Sequence, residues 1–168
     1  MSLFKAYKDE IKEREKVGLS AKPIECGELT KEIVLRIKDK NNSERNNALN
    51  FLIYNISPGT TASAKVKALF LKEIITGEVI LEEISSSFAL ELLSHMKGGP
   101  SVDILLDLTL GENKLIARES AEILKSQIFL YKHDLDRLLE AFKNGNETAE
   151  QVLLSYSKAE FFTNLPNI

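Results

Sequence analysis

Apolar residues recur at helical spacing along nearly the whole of this chain, in short blocks closed off by glycine or proline. Leu49, Leu52, Ile53 and Ile56 follow an i, i+3, i+4, i+7 pattern, and Leu135, Leu138, Leu139 and Phe142 repeat it. Such a pattern builds amphipathic helices too short to stand alone in water. Each must bury its stripe against neighbours, so the chain is constrained to an all-α core. The breakers sit where this requires them. Gly18, Ser57-Pro58-Gly59, Gly77, Gly98-Gly99-Pro100, Gly111 and Gly145 all fall between blocks.

About nine helices result. The first runs from Leu3 to Val17 with Phe4, Tyr7 and Ile11 on one face. After an extended linker at 19–24, a second covers 28–38 with Leu29, Ile33 and Ile37 in register. The loop 41–44 leads into the helix carrying Leu49 to Ile56. The next bears Val66, Phe70 and Ile74. Residues 78–85 read equally as a short strand or a loop. Ser85 to Lys97 forms a helix with Phe88, Leu92, Leu93 and Met96 on one side. Pro100 opens the following one, since a missing N–H costs nothing at the first helical position. Residues 114–130 place Ala117, Ala121, Leu124 and Ile128 on one face, and their small alanines permit close helix approach. The helix of Leu135 to Phe142 and a last one over 147–162 complete the set. A globular bundle and a stack of helix pairs (43–56 with 60–76, 86–97 with 101–110, 114–130 with 132–143) both satisfy this order. No residue pattern repeats at a fixed period.

Charge and cysteine content narrow the function classes. Against 22 Lys+Arg stand 25 Asp+Glu, a net charge of −3, which offers no concentrated positive face for nucleic acid. Lys65, Lys67 and Lys72 cluster, and read as a solvated helix face. The single cysteine, Cys26, excludes an intrachain disulfide and cannot alone hold a zinc or iron–sulfur centre. A lone thiol beside Gly27 reads as passive and fits a reducing cytoplasm. No apolar run is long enough to span a membrane. Met1-Ser2-Leu3 leads straight into charged residues, lacks the apolar core of a signal peptide, and is compatible with a vector-derived start.

No catalytic constellation emerges. His95 stands at a helix end, facing the last carbonyls, and His133 at a helix start with a surface role. Ser85-Ser86-Ser87 reads as a cap, with no nucleophile elbow around it. Glu82-Glu83 is a solvent-facing pair. Two places remain as contact candidates. Lys97, Gly98, Gly99 and Ser101 bring free amides to a helix start, as an anion or interdomain contact requires, although an ordinary cap and tight turn uses the same residues. Phe161 and Phe162, before Leu165-Pro166, suggest an interdomain docking segment or a cap on the domain's own core. No catalytic, cofactor-binding or metal-ligating residue is assigned.

Several stretches taken in order carry a resemblance: Gly18-Leu19-Ser20-Ala21-Lys22-Pro23, Ser57-Pro58-Gly59, Leu92-Leu93-Ser94-His95-Met96-Lys97-Gly98-Gly99, Phe142-Lys143-Asn144-Gly145-Asn146, and Ser157-Lys158-Ala159-Glu160-Phe161-Phe162 followed by Pro166. Together they resemble the N-terminal HEAT-like domain of the B-type bacterial aconitate hydratases, over essentially all of residues 1–168. The resemblance implies one domain, an α-α superhelix stacked as antiparallel helix pairs, at the front of a longer enzyme. Such an enzyme is a lyase that interconverts citrate and isocitrate through cis-aconitate with a 4Fe-4S cluster. The cluster is held by three cysteines in later catalytic domains, so none of its ligands carries over to this chain. The implied partners are those catalytic domains and a second copy. Regulatory RNA is linked to the iron state in B-type enzymes, but the acidic balance gives no independent support for RNA contact here. The implied role is protein interaction and scaffolding without hydratase activity in this chain. The competing reading is a free-standing helical adaptor for a separate protein or RNA. The source reading frame distinguishes them: continuation past Ile168 is expected, whereas a stop codon there favours the adaptor.

Overall fold

A computed structural model describes residues 2–127 and 130–158. Among these residues the chain is all-α, with nine α-helices, one π-helical segment and no strand. The helices are α1 (Leu3–Lys16), α2 (Gly27–Lys38), α3 (Arg45–Asn50), α4 (Ala62–Ile75), α5 (Ser86–Ser94), α6 (Pro100–Thr109), α7 (Lys114–Lys125), α8 (Lys132–Lys143) and α9 (Glu147–Ser157). The π segment, Phe51–Asn55, continues α3 directly. The chain divides into two compact units at the Ser101–Val102 bond, inside α6.

Most helices lie where periodicity puts them, and the differences are at their ends. The segment 78–85 is a loop, with Leu81 and Ile84 buried and Ile80 turned to solvent. The fifth helix stops at Ser94, because Lys97, Gly98 and Gly99 all take positive φ. The seventh stops at Lys125, where Ser126 and Gln127 donate their N–H groups to Ile123 and Leu124 carbonyls in a tight closing turn. Ile128 lies outside the described residues.

In the first unit α2 packs against α1, α3 and α4, and α4 packs against α5. The N-terminal turn of α1 is held from outside its own helix. Ser2 Oγ, Leu3 N–H and Phe4 N–H all donate to the Glu32 carboxylate of α2, at 2.7, 3.0 and 3.2 Å. These amides have no partner within α1. Burial pushes the Glu32 carboxyl up, but the Ser2, Leu3 and Phe4 hydrogen bonds and nearby Arg36 outweigh it and hold the group below its usual value. Tyr7 then ties three segments together. Its hydroxyl donates to Lys22 O at 2.7 Å and accepts from Asn55 Nδ2 at 2.9 Å.

Close approach explains why some packed neighbours are not consecutive. A Cβ on Gly27 would sit 3.1 Å from Ala62 Cβ, so the first turns of α2 and α4 nearly touch. In the second unit α9 packs on both α7 and α8, with Ala117, Ala121 and Ala149 buried. The packed neighbours are thus α2 with α4 and α9 with both α7 and α8, where sequence order suggests 43–56 with 60–76 and 114–130 with 132–143.

The lysine cluster departs most from expectation. Lys65 is exposed, but Lys67 is 4% exposed, on the same stripe as Ala64, Ala68 and Leu71. Its ammonium donates to Ile53 O at 3.2 Å, within the π segment. Burial pushes its pKa from 10.5 to about 8. That fall is worth on the order of 3 kcal/mol against the charged form. Below about pH 8 both folded and unfolded chains hold the proton, and the fold bears this cost. Between about 8 and 10.5 the unfolded chain holds more protons than the folded one, so stability rises with pH. Denaturant titrations across that window should show a gain on the order of 2–3 kcal/mol in the parent chain relative to Lys67→Met. Equal pH profiles for the two would contradict this account.

Candidate functional site

The Lys97–Ser101 turn is built from residues that tolerate its backbone. Lys97 has φ 48°, Gly98 φ 129° and Gly99 φ 50°. A Cβ on Gly99 would also meet Thr60 Cγ2 at 2.8 Å. Pro100 is the first residue of α6, as its missing N–H permits. Ser101 is fully buried. Its hydroxyl donates to Gly98 O at 2.9 Å and lies 3.3 Å from the Gly98 N–H, which donates to it. Gly59 N–H donates to Met96 O, fastening the preceding loop to the turn. The Gly98 amide and the Ser101 hydroxyl thus have partners within the turn itself.

The remaining sequence candidates fall in distinct places. His95 is the exposed C-cap residue of α5. Cys26 is exposed at the N-cap of α2 and makes no side-chain cap bond. Ser85 does cap α5, accepting from Phe88 N–H. Of the Glu82-Glu83 pair, Glu83 forms a two-point ion pair with Arg45. The Arg45 hydrogen bonds hold its carboxyl below the usual range against partial burial. His133 is two-thirds exposed on the first turn of α8, beside Asp103 and Asp134. Phe161 and Phe162 lie outside the described residues.

One surface was not anticipated. The stripe Leu135, Leu138, Leu139, Phe142 reads as an inward face, but only Leu138 is fully buried. Leu139 is 43% exposed and Phe142 44% exposed. Across from them, α9 presents Leu153 and Leu154, the latter 49% exposed. With Glu150 and Ser157 these residues line a mostly apolar groove of about 230 Å³. Isolated exposed leucines are ordinary, but adjoining ones rimmed by polar residues mark contact surfaces. Periodicity shows that a face is apolar and says nothing of what covers it.

The described residues define an all-helical module that carries an apolar groove between α8 and α9. The aconitate B N-terminal domain family matches residues 6–162, and the chain belongs to that family. It is 33% identical to aconitate hydratase B of Helicobacter pylori over 158 residues, covering 94% of this chain and 18% of that protein. It is 32% identical to aconitate hydratase B of Escherichia coli over 164 residues, with 98% and 18% covered. The Pseudomonas aeruginosa counterpart is 30% identical over 168 residues, with 99% and 19% covered. The chain therefore spans less than a fifth of the relatives' length.

The turn's strain gives a direct check. Gly99→Ala combines positive φ with a clash at Thr60, and should cost about 1–2 kcal/mol in chemical denaturation. Gly145→Ala has positive φ but open space around it, and should cost less than Gly99→Ala.

Proposed function

We propose that this chain is the N-terminal interaction and scaffolding domain of an aconitate hydratase, and that the hydration chemistry lies outside it. The observation that carries this reading is the apolar groove between α8 and α9, where the adjoining, half-exposed Leu139, Phe142 and Leu154 make a contact surface. The matched share of the relatives, 18–19%, supports it. So does the donor set. A thiolate-held 4Fe-4S cluster needs several cysteines, and this chain has only the exposed Cys26. The residues present do not fit that cluster, and no step through it is assigned to them. In this reading the groove's occupants are the catalytic domains of the parent enzyme. The lone thiol is suited to a reducing cytoplasm.

Activity, stability and binding measurements test the reading. Purified chain, free of contaminating enzyme, should show no conversion of citrate to cis-aconitate, and detectable turnover would sink it. Leu139→Ser with Phe142→Ser should leave the melting temperature nearly unchanged, since both side chains are about half exposed. The same pair of changes should weaken binding of the chain to the separately produced remainder of the enzyme by at least about tenfold, a loss of 1.4 kcal/mol or more. Undiminished binding would remove the groove from the interface. Sedimentation of the chain alone reads out self-association through the same surface.

A further inference from the structure

Asp103, His133 and Asp134 bring one side-chain donor atom each to within 4.8 Å of the others. Asp103 lies in the first turn of α6, and the other two in the first turn of α8. His133 Nε2 is 3.1 Å from Asp134 Oδ1 and 4.0 Å from Asp103 Oδ1. Asp134 is fully buried, and its two oxygens are treated differently. Oδ2 accepts from Tyr131 N–H at 2.8 Å, closing the start of α8. Oδ1 is buried and makes no hydrogen bond, although His133 Nε2 lies 3.1 Å from it. A buried carboxylate oxygen with no donor calls for a partner, and this one sits at the focus of two further ligand types. The His133 ring is also held in place, stacked on Tyr131 with centroids 5.9 Å apart and planes 7° from parallel.

The surroundings are consistent with a cation. Lys132 is turned outward onto Asp136 at 3.0 Å, and Arg137 is paired with Asp107 at 2.8 Å, so neither ammonium nor guanidinium occupies the cluster. The N-terminal ends of α6 and α8 oppose a cation with about half a positive charge each, which two carboxylates exceed. One imidazole and two carboxylates suit borderline divalent ions such as zinc. Calcium takes 6–8 oxygens, and a thiolate-selecting ion lacks its ligand here. We propose that Asp103, His133 and Asp134 form a binding site for a divalent transition-metal ion of the zinc class, with water completing the coordination.

Zinc chloride titrated into the metal-stripped full chain should give one saturable equivalent by calorimetry and raise the melting temperature. His133→Ala is at an exposed position and should fold normally, yet it should lose zinc affinity by roughly tenfold or more and lose the melting shift. Asp103→Asn should weaken binding in the same sense, and Cys26→Ser and His95→Ala should leave it unchanged. The site is refuted by a parent chain that takes up no saturable zinc, by His133→Ala binding as tightly as the parent, or by Cys26→Ser abolishing the uptake. Any of these would identify the cluster as a plain histidine–carboxylate contact, or the zinc as bound elsewhere.

Discussion

Burial of α4 is the constraint on which the first unit depends. Eight of its fourteen residues are buried: Ser63, Ala64, Lys67, Ala68, Phe70, Leu71, Ile74 and Ile75. Such a helix cannot be covered by one neighbour, and α2 and α5 both pack on it. Its position forces a lysine into the interior. Lys67 stays tolerable because α3 ends in a π segment, where Ile53 O accepts its ammonium. The neighbouring Asn55 O accepts from Ile24 N–H at 2.7 Å, so the 19–26 linker is held to the same segment. One irregular turn therefore serves both the buried cation and the chain crossing above it.

Residues distant in sequence secure the unit's edges. Glu32 supplies α1 with the acceptors that its first amides lack, and Phe51 meets Phe4 and Tyr7 at ring separations of 5.5 and 5.2 Å. Arg36 lies over the Phe4 ring at 4.4 Å, so the carboxylate, guanidinium and aromatic ring form one joint between α1 and α2. This joint buries the Phe4 and Tyr7 rings as well as polar groups. It also gives the amides at the start of α1 acceptors other than water.

How legible these features were depends on the range of the interaction. Helix positions were readable because periodicity and breakers act within a few residues, as at Pro100 and Ser85. The burial of Lys67 was partly readable: Ala64, Lys67, Ala68 and Leu71 follow i, i+3, i+4, i+7, which places the lysine in an apolar stripe. The exposed Lys65 two residues earlier gives the segment the character of a solvated face. The π segment left no local mark, since its carbonyls are answered by Lys67 and Ile24 from elsewhere in the chain. The meeting of Asp103 with His133 was equally hidden. Both are ordinary surface residues in sequence, and only the packing of the second unit brings them together.

The α8–α9 groove bears most directly on what the domain is for. In stacked helical architectures the outermost layer needs a polar outer face if nothing further is to pack on it. On the α8–α9 pair Leu139, Phe142 and Leu154 are about half exposed, while Leu138, Ala149 and Val152 are buried. Among the described residues the apolar content of this pair thus exceeds what its own core consumes. An adaptor that folds and circulates alone has reason to replace such side chains with charged ones. A domain whose groove is covered by its own enzyme has none, because the same residues then contribute to joining the two. On the proposed reading, Leu139, Phe142 and Leu154 belong to such a joint.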